Sequence, residues 1–195
     1  MEYTNNKNLP CLNSVRFSQW IKDMDDESHR SRETFIGHFN RKYGDFHDRL
    51  PIWMIAEIMS FGKMLTLFNG VKDELRRKIA REYGLEDKLL QSWLGAINVV
   101  RNICAHHGRL WNRELGYKPL IPRKQKYPDW HVPVEIHNNR IFAILTILRF
   151  LLRFVAPTSN WDGRFSKLLL EYPEVSIKAM GFPNDWEQSP IWLSN

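Results

Sequence analysis

Apolar residues recur at helical spacing along most of the chain, and no stretch alternates apolar with polar positions for long enough to make a useful strand. Two short helices are expected over 14–24 and 28–42, with Gly44 closing the second. Pro51, well tolerated in a first helical turn, opens a helix that runs through Phe68 and stops at Asn69-Gly70. From Val71 to Tyr83, Leu75 and Ile79 form an apolar edge opposite a solvated face of Lys72, Arg76, Arg77 and Lys78, and Gly84 ends the segment. The strongest pattern starts at Glu86, where Leu89, Leu90, Trp93, Leu94, Ile97 and Val100 supply a core-facing stripe. Four prolines and no sustained period mark 115–133 as a loop or arm. Helices are expected again over 138–155, 161–172 and 175–180, followed by an extended tail packed by Trp186 and Trp192. The expected fold class is all-α: a helical bundle with one long helix and an irregular C-terminal tail.

The long helix carries the densest chemistry in the chain, RNICAHHGRLWNR over 101–113. If it stays helical to Arg113, rotation by about 100° per residue puts Asn102, His106, Arg109 and Arg113 on one narrow stripe. Arg101 lies about 140° from His106 on that wheel, so a compact Arg and His site needs a second helix. Two copies facing across a two-fold axis would supply it, because an isologous contact repeats each residue in both partners. Gly108 leaves a second reading open, in which the helix ends just after His107 and the stripe stops at His106. An imidazole that exchanges protons near neutral pH and a guanidinium that grips phosphate are the parts that RNA cleavage without a metal requires.

A chain of 195 residues with 43% hydrophobic content is expected to form a single domain over 1–195, with residues 1–27 as a poorly ordered or truncated front part. Its 28 Lys and Arg against 22 Asp and Glu give a formal charge of +6, which favours polyanionic partners. Cys11 and Cys104 are the only cysteines; Cys104 is placed on a buried helix face, and a reducing, cytoplasmic setting is expected. No basic and apolar leader opens the polar, Asn-rich start. The longest apolar run, 141–155, is broken by Arg149 and Arg153 and reads as a core helix, so no membrane partner is expected.

Glycine-rich phosphate loops, paired-cysteine zinc spacings and His-Glu metalloprotease helices are all missing from the sequence. His106 and His107 point about 100° apart on a helix, a poor geometry for one metal. Asp23, Asp25 and Asp26 read as an exposed helix end. No metal and no cofactor are therefore expected.

The spacing of Arg101, Asn102 and His106 resembles the signature of the HEPN superfamily of helical ribonucleases, and the whole string resembles its Abi-like, or abortive-infection, branch. The pieces LPIWMIAEIMSFGKMLTLF, HNNRIFAILTILRFLL and YPEVSIKAMGFPNDWEQSPIW extend the likeness, with the chain corresponding to the C-terminal portion of a longer family pattern. The resemblance implies a HEPN-like bundle acting as a homodimeric, metal-independent endoribonuclease in antiphage defence or toxin-antitoxin growth arrest, with an antitoxin or small RNA as companion. Carried over by position, Arg101, Asn102 and His106 are catalytic and His107 ranks second, with packing or orientation as its other reading. Arg109 and Arg113 are expected to clamp RNA from the motif stretch and Lys124 and Lys126 from the arm, which also carries Lys118, Arg123, Tyr117, Tyr127 and Trp130 and whose other reading is a solvated loop. Arg113 could equally pair with Glu114 or Glu82, and Trp111 reads as core rather than as a base-stacking platform. The alternative function is a non-catalytic helical module that binds RNA or a protein; a third is a structural bundle with its basic stripe buried between copies.

Overall fold

The computed structural model describes residues 2–193. Among them are eight α-helices, several short 3-10 turns and no strand, so the fold is all-α as the periodicity predicts. The chain divides into two compact units between Ile79 and Ala80.

The first unit opens with 3-10 turns at Glu2–Thr4 and Asn6–Asn8, followed by helices α1 (Ser14–Arg30), α2 (Thr34–Tyr43), α3 (Ile52–Ile58) and α4 (Phe61–Gly70) and most of α5 (Asp73–Glu82). Residues 2–27 are thus built into turns and α1, whose N-cap Asn13 accepts from the Arg16 N–H at 2.9 Å. Tyr3, Leu9, Trp20, Met24, Ile36, Phe39 and Ile55 form the core. Polar atoms at its edge are paired: the Tyr3 hydroxyl donates to the Leu50 carbonyl at 2.7 Å and the Trp20 indole to the Lys63 carbonyl at 3.0 Å. Two carboxylates of α1's acidic run are held in ion pairs, Asp25 with the Arg49 guanidinium at 2.7 and 2.8 Å and Asp23 with Lys63, while Asp26 is exposed as the sequence predicts. An open apolar groove of about 1360 Å³ crosses this unit, lined by Phe39, Trp53, Met64, Phe68 and Leu75 among others.

Three boundaries differ from the sequence reading. Helix α1 runs on to Arg30 and α2 begins only at Thr34. The single helix expected over 51–68 is broken at Met59, which is extended (ψ 141°) and 8% exposed, and Ser60 caps α4 by accepting from the Lys63 N–H. A serine offers the backbone an alternative to the helical ladder, and Gly62 weakens that ladder further. Arg76, read as solvated, is 9% exposed: it donates to the Asn69 and Val71 carbonyls at the end of α4 and pairs with Asp73. Gly70, the last residue of α4, has no room for a side chain, since a Cβ there would lie 2.9 Å from Leu12 Cγ.

The second unit holds α6 (Asp87–Ala105), α7 (Ile141–Val155) and α8 (Trp161–Glu171). Trp93 of α6 is fully buried against Trp130 and Phe150, at ring separations of 4.9 and 5.4 Å. The proline-rich arm is fastened along α6: the Trp93 indole donates to the Leu120 carbonyl at 2.9 Å, and the Leu120 N–H donates to Ser92 Oγ at 2.9 Å. The tail is ordered by its indoles, as expected. Trp192 stacks on Phe142 at 5.8 Å and donates to Thr146 Oγ1 at 3.0 Å, while Arg153 donates to the Pro190 and Ile191 carbonyls. The expected helix over 175–180 reduces to a 3-10 turn at Lys178–Met180, closed by left-handed Gly181 (φ 90°), where any Cβ would meet Arg140 at 2.6 Å. No described helix is long and apolar enough to cross a membrane.

Candidate functional site

Helix α6 buries Leu89, Leu90, Trp93, Ala96 and Val100 on one face. Asn102 lies almost opposite that face on the helical wheel, so the core that anchors the helix also turns the motif outward. Arg101, Asn102, His106 and His107 are all exposed, and the Arg101 guanidinium donates to Asn102 Oδ1 at 3.2 Å.

The helix ends at Ala105, and the reading in which it continues to Arg113 is overturned. His106 is the C-cap and donates its N–H to the Asn102 carbonyl; His107 follows in the left-handed region at φ 55°. The His107 N–H then reaches the Cys104 carbonyl at 3.0 Å and the Gly108 N–H reaches the Ile103 carbonyl at 2.7 Å. This paired pattern is a Schellman cap, with His107 where glycine usually stands. Gly108 is fixed for a different reason, since a Cβ on it would lie 2.9 Å from the Ile103 carbonyl oxygen and 2.7 Å from Ile103 Cγ2.

Arg109 and Arg113 therefore leave the helical stripe and belong to a turn beyond it. Arg113 closes that turn, its backbone N–H donating to the Leu110 carbonyl at 3.0 Å and its guanidinium to the Arg109 carbonyl at 3.4 Å. It pairs with neither Glu114, which is held by Lys118 at 2.9 Å, nor Glu82. The Lys118 ammonium also keeps the Glu114 carboxyl below its ordinary range. Asn112, at φ 55°, accepts from Arg140 at 2.7 Å. Trp111 is 41% exposed rather than core, with its indole N–H fixed on the Ser176 carbonyl at 3.1 Å. Cys104 is exposed as well, because it lies one turn past Val100, the last buried residue of the core face.

Among the described residues, Arg101, Arg109 and Arg113 make no ion pair. The end of α6 and the following turn thus expose three guanidiniums and two imidazoles to solvent, none of them in an ion pair with a described residue, with Arg101 about 140° round the helical wheel from His106. The carbonyls of Asn102, Ile103 and Cys104 are all occupied by the cap. Such a surface can hold phosphate bidentately and exchange protons with a bound ligand. No group of three or more His, Cys, Asp or Glu side chains has a metal-holding arrangement among the described residues.

The arm is placed elsewhere. Lys126 pairs with Glu86 at 3.1 Å, and Glu86 stands just before the first turn of α6, so Lys126 sits roughly 28 Å along the axis from His106. That bond raises the Lys126 ammonium above its ordinary value. Lys124 is exposed on the same stretch. Of the arm's aromatics, Trp130 is buried and the Tyr127 hydroxyl donates to the Gly84 carbonyl at 3.0 Å, whereas Tyr117 is 45% exposed. Sequence reasoning missed Arg140, which fixes Asn112; no local pattern ties two residues that far apart.

A helical domain whose longest helix ends in an exposed Arg, Asn and His surface is the class of protein defined to this point. Residues 1–112 match the family model described as Abi-like protein, and the chain belongs to that family. The match includes Arg101, Asn102, His106, His107 and Arg109 and ends at Asn112. No curated protein and no solved structure matches the chain.

Proposed function

We propose that this Abi-like chain is a metal-independent endoribonuclease of the abortive-infection or toxin-antitoxin type, acting on RNA through the exposed end of α6. The observation that carries the reading is the exposure of Arg101, His106, His107, Arg109 and Arg113 along the end of α6 and the turn that follows it, none of them in an ion pair with a described residue. Several cations close together in sequence and outside ion pairs make a positive local field that attracts an anionic ligand. The resemblance of Arg101, Asn102 and His106 to the HEPN signature supports the same assignment.

In this mechanism the His106 imidazole takes the proton of a ribose 2′-hydroxyl as its oxygen attacks the adjacent phosphorus. Arg101 holds the non-bridging oxygens while their charge grows. The bond from phosphorus to the 5′-oxygen breaks, and that oxygen takes a proton from a second imidazole, either His107 or the His106 of a second copy. The products are a 2′,3′-cyclic phosphate and a free 5′-hydroxyl, and DNA is left intact because it lacks the nucleophile. Exposure of Arg101, Asn102, Cys104, Ala105 and His106 on one helix end supports a homodimer that brings two such ends together. Cytoplasmic action with an antitoxin or small RNA companion belongs to the same reading.

The test is cleavage of single-stranded RNA by the purified chain with and without EDTA. His106→Ala is expected to lower the rate by about 100-fold or more, the scale of one proton-transfer group, while wild-type activity survives chelation. Full activity in the variant, or complete loss on chelation, rejects the mechanism. RNA binding without cleavage assigns the chain to a non-catalytic binding module.

A further inference from the structure

Just beyond the α6 cap, one short segment is held unusually firmly for a surface turn. His107 and Asn112 are the non-glycine residues with positive φ among those described, both at 55°, and they bracket Arg109, Leu110 and Trp111. A non-glycine residue in the left-handed region costs on the order of 1 kcal/mol, and such strain persists only where surrounding contacts impose it. Those contacts are present: Arg140 donates to Asn112 Oδ1 at 2.7 Å, Arg113 closes the turn onto the Arg109 carbonyl, and the Trp111 indole N–H is anchored on the Ser176 carbonyl at 3.1 Å.

The outcome is an indole that is pinned by its polar edge yet remains 41% exposed. Arg109 and Arg113, both exposed and outside any ion pair, flank it two residues to either side. An anchored, partly exposed indole with an arginine two residues to either side in the chain matches the repeating chemistry of a single strand, in which an unpaired base alternates with phosphates. A duplex offers no free base face there, because its bases are stacked on one another.

We propose that Trp111 is a base-stacking platform that selects unpaired RNA, with Arg109 and Arg113 on the flanking phosphates. This rests on the ribonuclease reading and deepens it by naming the substrate class. Because the indole is already fixed in the free protein, stacking requires little further ordering, and its loss appears mainly in binding and KM rather than in kcat.

The experiment uses the full chain carrying His106→Ala, which binds without cutting, and single-stranded RNA oligonucleotides with 2-aminopurine at successive positions. Fluorescence at one position is expected to be quenched on binding. Adding Trp111→Leu should restore that fluorescence and weaken binding about 5- to 100-fold, whereas Trp111→Phe, which keeps an aromatic face, should retain most of both. The same sequence in a duplex should bind without dependence on Trp111. Strong RNA binding that is lost in Arg101→Ala but unchanged in Trp111→Leu overturns the platform and leaves the ribonuclease reading standing. Equal losses in the Phe and Leu variants also overturn it, since the Ser176 anchor and not the stack would then be responsible. Failure of the His106→Ala protein to bind any RNA removes both.

Discussion

His107 holds a backbone conformation that glycine adopts freely and other residues adopt at a cost, although Gly108 is the next residue along. Exchanging the cost for stability is simple: His107→Gly is expected to raise stability by about 0.5–1 kcal/mol after the extra freedom of the unfolded chain is counted, read as a higher denaturant midpoint. If the imidazole serves cleavage, the same variant is more stable and less active. Gly108→Ala has the opposite sign, because its Cβ would press on the Ile103 carbonyl oxygen. Tyr3 gives a pH-dependent counterpart in the first unit. Burial raises its hydroxyl above the ordinary value of 10.0, with Arg49 opposing and Asp25 adding to the shift. A raised folded-state pKa favours the neutral phenol, so the associated stability is complete below pH 10 and drains away as pH climbs through the folded value. Tyr3→Phe loses the bond to the Leu50 carbonyl and should cost about 1 kcal/mol at neutral pH. Urea titrations at neutral pH and above pH 10 should show that gap narrowing, and a constant gap would contradict the burial argument.

At the scale of elements, what the sequence made legible was the apolar period, and what it hid was where each helix stops. Leu89, Leu90, Trp93 and Val100 identify α6 and its buried face without any tertiary information. Its end depends on a cap completed by His107, a residue type that carries no stop signal, so the stripe through Arg109 and Arg113 was a reasonable continuation that the backbone does not make. The break at Met59-Ser60 is hidden for a similar reason: the apolar period runs straight across it, and the extended backbone of both residues, with the Lys63 N–H donating to Ser60, is visible only in the structure. Trp111 and Cys104 are exposed where the sequence predicts burial, because burial near a helix end depends on how far the core extends, which periodicity does not report. Ser60→Ala should therefore weaken the first unit by about 0.5–1 kcal/mol, toward the lower end of cap values because the bond is long at 3.4 Å. Equilibrium unfolding that shows no change would mean that packing around Met59 alone sets the break.

For the whole molecule, the formal charge of +6 matters less than where the unpaired cations lie. Arg101, Arg109 and Arg113 are gathered at one end of α6, while Lys126 stands at the other, already matched by Glu86 at 3.1 Å. A single-stranded RNA releases counterions for each phosphate that a cation neutralises, giving a slope of about −0.7 per contact in a plot of log affinity against log salt. Arg109→Ala should make that slope shallower by about 0.7 on any RNA that reaches the motif. Lys126→Ala should leave it unchanged on a short oligonucleotide, both because Glu86 offsets its charge and because the strand must extend roughly 28 Å to reach it. A longer strand brings Lys124 and Lys126 into range, so the slope should steepen with length in the wild type and fail to do so when both lysines are replaced. Salt titrations of short and long oligonucleotides thus separate two arrangements that sequence treats alike, a single basic patch and a track along the second unit. Equal sensitivity of the short RNA to Arg109→Ala and Lys126→Ala would contradict the separation that the length of α6 imposes.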